Sequence, residues 1–272
     1  MTPQPKDARE LLVFYLDAGA DALIGEEPVD RMAEGIASPP AAVKSPAAAR
    51  GTSEGAAGGG QVRNLSTTAP ASPEAAVMAA REAARTAQTL DDLRALLETF
   101  EGCALRATAT QLVFADGNPQ SRVMFVGEAP GYDEDIVGRP FIGRSGKLLD
   151  LMMTAIGLDR TSVYIANVVP WRPPGNRTPT PQETAICLPF IRRQVELANP
   201  DFMVCLGGPA MQTLLSVKDG ITRARGRWLP YDTGTREIRA LATFHPAFLL
   251  RSPLQKRFAW RDFLALKKAL AG

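Results

Sequence analysis

The chain is poor in the residues that most often carry metal or redox chemistry. Its 272 residues include a single histidine, His245, and three cysteines, Cys103, Cys187 and Cys205. An odd, widely spaced set of cysteines argues against a disulfide framework and for a reducing compartment. No run of about 20 apolar residues is present, so no membrane span is expected. The first residues, MTPQPKDARE, lack the basic and apolar regions of a secretion signal. No GxGxxG or Walker pattern follows any apolar run, which argues against a nucleotide-binding module. Together these absences place the expected site of action in the cytoplasm.

Net charge is also small, at +2, but it is unevenly divided. Residues 1–96 carry 9 basic and 13 acidic side chains, and residues 97–272 carry 22 and 16. The second part is therefore mildly basic, which permits a polyanionic partner without demanding one. Residues 35–77 are dominated by Ala, Gly, Pro, Ser and Thr, with GTSEGAAGGG in the middle. Such a composition cannot bury enough apolar surface to offset the entropy of ordering, so the segment reads as a disordered linker. Residues 1–34 then form an N-terminal helical segment. Its apolar face at Leu11, Leu12, Phe14, Tyr15, Ala18 and Leu23 either docks on the domain or binds a partner. Residues 78–272 form the one sizeable domain.

Within that domain four apolar runs read as buried strands: Val123 to Val126, Val163 to Val169, Asp201 to Leu206 and Arg239 to Phe244. Helical patterns separate them. Residues 75–99 form a helix before the first strand, with Thr89 as a plausible N-cap. A second helix begins near Ser145, with Leu148, Leu149, Met152, Met153 and Ile156 on one face. Thr180, Pro181 and Glu183 open a third with a capping box and a first-turn proline. Pro209 opens another, and a final helix covers about 254–270. This order predicts an α/β fold of three layers, α/β/α, around a central, mostly parallel four-stranded sheet.

Ligands in such sheets bind outside the carboxyl ends of the strands. Glu128, Asn167 and His245 fall at those ends. The loop after the first strand adds Ala129 and three successive acids, Asp133, Glu134 and Asp135, with Phe141 in an otherwise polar setting. A solvated loop is the plainer reading of such acids. A lone histidine is likewise more often structural than catalytic, but His245 sits in FHPAFLLRSP, where a proline stiffens the turn. The apolar knuckle Phe248, Leu249 and Leu250 next to Arg251 is costly to expose unless it inserts into something.

These residues resemble a known family. Gly127 to Gly131 (GEAPG), the acids that follow, Gly138 to Phe141 (GRPF), Asn167 to Pro174, and His245 to Arg251 (HPAFLLR) are similar to the uracil-DNA glycosylase superfamily, nearest its family 4 branch. The resemblance covers about residues 100–268. It implies hydrolysis of the bond between uracil and deoxyribose in base-excision repair, with the base taken out of the stack. By the same resemblance, Phe141 stacks on the flipped base and Asn167 reads the uracil edge with its amide. His245 hydrogen-bonds uracil O2 as charge develops. Leu249 and Leu250 fill the gap left in the helix, and Glu134 crowds a thymine methyl. The best-known branch has an Asp where this chain has Ala129, so Glu128 and Glu134 remain as candidates for water activation. Arg251, Lys256 and Arg257 are placed to meet phosphates. Arg223, Arg225 and Arg227 share one face if that segment is extended. The implied partner is uracil-containing DNA, single- or double-stranded, engaged by a monomer without any membrane and within the nucleoid of a bacterial-type cytoplasm. A lesion-binding protein with little turnover is the alternative.

Family 4 members usually carry an iron–sulfur cluster on four cysteines. Cys103 and Cys187 match two of those positions, whereas Phe100 and Trp171 occupy the others. A cluster needs about four thiolates, and Cys205 belongs to a core strand. No metal or other cofactor is therefore expected, and the two aromatic residues are expected to fill the space.

Overall fold

The computed structural model describes residues 72–272. The segment expected at residues 1–34 and the linker through residue 71 lie outside the described residues. The linker was expected to run to residue 77, but helix α1 (Pro73–Thr86) already begins within it, capped by Ser72, whose hydroxyl accepts from the Ala75 amide. Ala76, Ala80 and Ala84 are its buried stripe. The single helix expected over residues 75–99 is two. Thr89 and Asp92 form a reciprocal capping box that starts α2 (Leu90–Thr99) afresh, because the cap forces extended backbone at Thr89.

Six strands form one sheet in the order β1-β3-β2-β4-β6-β5. The inner four are β2 (Val123–Gly127), β3 (Tyr164–Asn167), β4 (Phe202–Leu206) and β6 (Glu237–Thr243). They are mutually parallel and fall on the four expected runs, although β3 is shorter at both ends than Val163–Val169 and β6 starts at Glu237, two residues before the run expected from Arg239. Two antiparallel edge strands add to the four expected: β1 (Asp116–Gly117) beside β3, and β5 (Trp228–Asp232) beside β6. Neither announces itself in sequence. The first is two residues long, and the second contains Pro230, which only an edge strand tolerates.

The residues of β2 alternate between two cores, which is what makes three layers. Met124 and Val126 face a cluster with Phe190, Ile191 and Val195 of α6 (Pro181–Ala198). Val123 and Phe125 face the opposite cluster, with Leu149 and Met153 of α5 (Arg144–Thr154) and Phe263 and Leu266 of α10 (Lys256–Leu270). Each fully buried side chain of this size contributes about 1.5–3 kcal/mol, so the sheet is held from both faces.

One polar contact crosses from the last helix to the sheet. Asp262 of α10 is buried and accepts from the Thr243 hydroxyl at the end of β6 at 2.6 Å and from Arg225 Nε at 3.0 Å. Burial pushes its carboxyl upward, against the pull of Thr243 and Arg225.

Candidate active site

The carboxyl ends of the four parallel strands open into a cleft of about 750 Å³. Gly127 of β2 pairs with Asn167 of β3. Leu206 of β4 pairs with Thr243 of β6, two residues before His245. The topology thus brings Glu128, Asn167 and His245 to one edge, and all three line the cleft with Ala129, Glu134 and Phe141.

Gly127 sits beneath this group. A Cβ there would lie 2.4 Å from Asn167 Oδ1 and 2.5 Å from Phe141 Cζ. The bare backbone therefore lets an amide and an aromatic ring close over it. Asn167 is only 4% exposed, and among the described residues its Oδ1 has no hydrogen-bond partner. Glu128 Oε1 is likewise buried without a hydrogen bond, and burial pushes its carboxyl above the usual range. Buried acceptors in native folds are almost always satisfied, so two orphans in one cleft point to a ligand that supplies donors.

The two carboxylates differ. The acids after β2 are not a loop but the first turn of α4 (Tyr132–Val137), where the helix dipole favours negative charge. Asp135 turns away from the cleft to accept from the Thr110 amide and hydroxyl at 2.8 and 2.9 Å. Glu134 Oε2 accepts from the Gly131 amide at 3.1 Å, and its Oε1 from the Ile142 and Gly143 amides at 3.1 and 3.0 Å. It staples the start of α4 to the start of α5, and both its oxygens are engaged. Glu128 is the carboxylate with a free oxygen. Ala129 contributes only a methyl wall.

His245 is the N-cap of α9 (Pro246–Arg251), and its Nδ1 accepts from the Ala247 amide at 3.1 Å. The ring proton is therefore on Nε2. Burial, with the nearby Arg251 charge, pushes the imidazole down to about 4, so it is neutral at pH 7. The ring stands beside Phe141, with centroids 5.5 Å apart. Gly207, at φ +94, backs it with 3.0 Å between the position of an added Cβ and His245 Cβ.

The expected surface residues divide. Leu249 is 1% exposed and packs with Phe244 and Ala259, so it is core and not a free wedge. The turn of α9 directs it inward. Leu250 is at the surface, and Leu254, in the 3₁₀ turn Pro253–Gln255, is 83% exposed. Arg251, Lys256 and Arg257 are exposed, and Arg251 lines the cleft. The Arg223–Arg227 segment is not an extended basic face. Helix α8 (Ile221–Ala224) bends it, and Arg225 turns inward between the rings of Phe244 and Phe258 to pair with Asp262. Arg223 and Arg227 stay exposed, the latter 3.5 Å from Asp219.

Two features escaped sequence reasoning. One is the cleft wall made by the 3₁₀ turn Pro174–Asn176, where Asn176 is left-handed (φ 55) and accepts from Arg172 Nε at 2.7 Å. Its signal was the Gly-Asn pair after two prolines, a strong turn sequence. The other is Leu254, for which exposure is not readable from sequence.

The thiols of Cys103 and Cys187 face one another, which holds Cys103 below the ordinary thiol value and pushes Cys187 above it. Trp171 and Phe190 are buried in the same cluster, and Phe100 packs against it edge-on to Phe190, with centroids 4.9 Å apart. Among the described residues no three His, Cys, Asp or Glu side chains are grouped to hold a metal ion. Two thiols are too few for an iron–sulfur cluster, which needs about four thiolates.

Residues 114–264 match the model of the uracil DNA glycosylase superfamily. The chain is 39% identical over 180 residues to a type-4 uracil-DNA glycosylase of Archaeoglobus fulgidus, spanning 65% of this chain and 90% of that protein. It is 45% identical over 151 residues to the type-4 enzyme of Thermotoga maritima, spanning 55% and 77%. Against that of Sulfurisphaera tokodaii it is 36% identical over 185 residues, spanning 66% and 84%.

Proposed function

The chain belongs to the uracil DNA glycosylase superfamily, and from that premise we propose that its cleft hydrolyses the N-glycosidic bond of uracil in DNA, in base-excision repair. The type-4 enzymes it resembles are matched over 90% and 77% of their own length. The observation that carries the reading is the pair of orphaned buried oxygens, Glu128 Oε1 and Asn167 Oδ1, beside a neutral histidine and an aromatic plate.

Each group then has a task. The nucleotide leaves the stack, at a cost of a few kcal/mol in duplex DNA, and uracil stacks on Phe141. Asn167 Oδ1 accepts the uracil N3 proton, and its amino group donates to O4. His245 donates from Nε2 to O2 as the base departs with negative charge. A donor aimed at developing charge contributes on the order of 3 kcal/mol. Glu128 takes the proton of the water that attacks C1′. Glu134 holds the two helix starts in register and forms a wall on the pyrimidine. Arg251, Lys256 and Arg257 meet phosphates, and Leu250 with Leu254 covers the vacated stack. The protein acts as a monomer on the DNA of the nucleoid.

An oligonucleotide with one uracil, incubated with the protein and then treated with alkali, tests the reading. A strand break at uracil and not at thymine is expected. Tight binding without a break would instead mark a lesion-binding protein. The free oxygen of Glu128 favours turnover.

A further inference from the structure

Phe141 is held in a conformation it would not adopt alone. Its φ is 55, in the left-handed region that bulky side chains avoid. On one side Gly146 makes room, since a Cβ there would lie 1.7 Å from the Phe141 carbonyl oxygen. On the other stands Arg160, in the turn between α5 and β3 and not among the residues lining the cleft. Its guanidinium forks across two successive carbonyls, donating to Pro140 O at 3.2 Å and to Phe141 O. The same guanidinium is oriented by Asp150, at 2.8 Å from Nε, and by Asp116 of β1, which Arg139 also grips.

We propose that Arg160, oriented by Asp116 and Asp150, is a positioning residue that locks the left-handed backbone of Phe141 and so aims its ring at the base-binding cleft. This rests on reading Phe141 as the plate on which the base stacks. The physical reason is a competition. Released to negative φ, Phe141 would gain an ordinary backbone and swing its ring away from His245. Two carbonyls held by one planar fork cannot rotate independently, so the released conformation requires breaking both bonds. Lysine, a point charge on a flexible stem, cannot reproduce the fork. The short strand β1 thereby has a role beyond the sheet edge: it supplies the carboxylate that fixes the fork's direction.

The test is a double-mutant cycle in the full chain, with single-turnover excision of uracil from a single-stranded oligonucleotide as the readout. Phe141→Ala and Arg160→Ala should each slow excision by about 10- to 100-fold, the range expected for a lost base–aromatic stack. The double variant should be no slower than Phe141→Ala, because Arg160 acts through that ring. Arg160→Lys keeps the charge toward both aspartates. It should melt near the wild-type temperature yet excise nearly as slowly as Arg160→Ala. Arg122→Ala, which removes an exposed pair with Asp201 at the opposite end of the sheet, is the control and should excise at the wild-type rate. Multiplicative losses in the double variant, or full rescue by lysine, would overturn the clamp. Should the wild type cleave nothing, the functional reading fails separately. The same cycle is then run on the dissociation constant of an oligonucleotide carrying 2′-fluoro-deoxyuridine, where additive losses again refute the clamp.

Discussion

The rings of His245 and Phe141 lie 5.5 Å apart and tilted by 33°, both on the wall of the cleft. Neither element could place its residue alone. Phe141 comes from the approach to α5 and His245 from the end of β6, and the parallel order of the sheet brings the two together.

The state of His245 sets the first expectation. Its imidazole is at about 4 in the fold against 6.5 in the free chain. Between those values the unfolded chain binds the proton and the folded one does not, so stability falls as pH drops from 6.5 toward 4 and is fully retained above. Excision should show no limb near pH 6.5. His245→Ala should slow single-turnover excision by about 100-fold or more, with far less effect on DNA binding. A wild-type rate in that variant would remove His245 from the mechanism.

The role proposed for Glu128 sets the expectation on the acid side. Burial raises its carboxyl above 4.5, and only the ionised form can take a proton from water. The excision rate should therefore fall on acidification with an apparent pKa above 4.5. Glu128→Gln should erase that limb and lower the rate by about 10²–10⁴. An unchanged limb in the Gln variant would assign it to another group.

Gly127→Ala introduces a single carbon between Asn167 and Phe141, at 2.4 and 2.5 Å from them. A displacement of about 1 Å at reacting groups costs on the order of 100-fold. The variant should fold, as judged by its circular dichroism, and lose about that factor in rate. Full activity would mean that the amide and the ring need not meet over this backbone.

Trp171 carries the stability expectation. Trp171→Ala should destabilise the fold by about 3–5 kcal/mol, as for other buried aromatic truncations, read by urea denaturation. Protein prepared anaerobically should contain no stoichiometric iron and show no broad band near ~400 nm, since two thiols cannot close a four-iron site. Iron at one cluster per chain would reverse the assignment of Phe100 and Trp171.

The inner sheet was legible in sequence because its parallel strands are built on buried apolar runs between turn signals, continuous in β4 with Phe202–Leu206 and interrupted by Arg239 in β6. Residues at strand ends followed directly, and Glu128, Asn167 and His245 do meet in one cleft. Side-chain direction was not legible. Leu249 and Leu250 are adjacent and chemically identical, yet one is core and the other surface, because each step of one residue along a helix rotates the side chain by about 100°. Arg225 reads as basic surface until Asp262, from a distant helix, is placed beside it. The break between α1 and α2 had its signal in the Thr89 cap, which was legible in sequence, yet the helical pattern on either side reads as one helix.

The bond from Asp262 to Thr243 has a consequence for the order of assembly. Domains fold as units, and a nascent chain emerges from its N-terminus. Everything that lines the cleft has been synthesised by Arg251, yet the end of β6 and Arg225 wait for a partner from the last helix. The site is therefore encoded early and completed late. While Asp262 is still within the ribosome, a chain that already owns every cleft residue should remain without activity, and release of the last helix should switch it on.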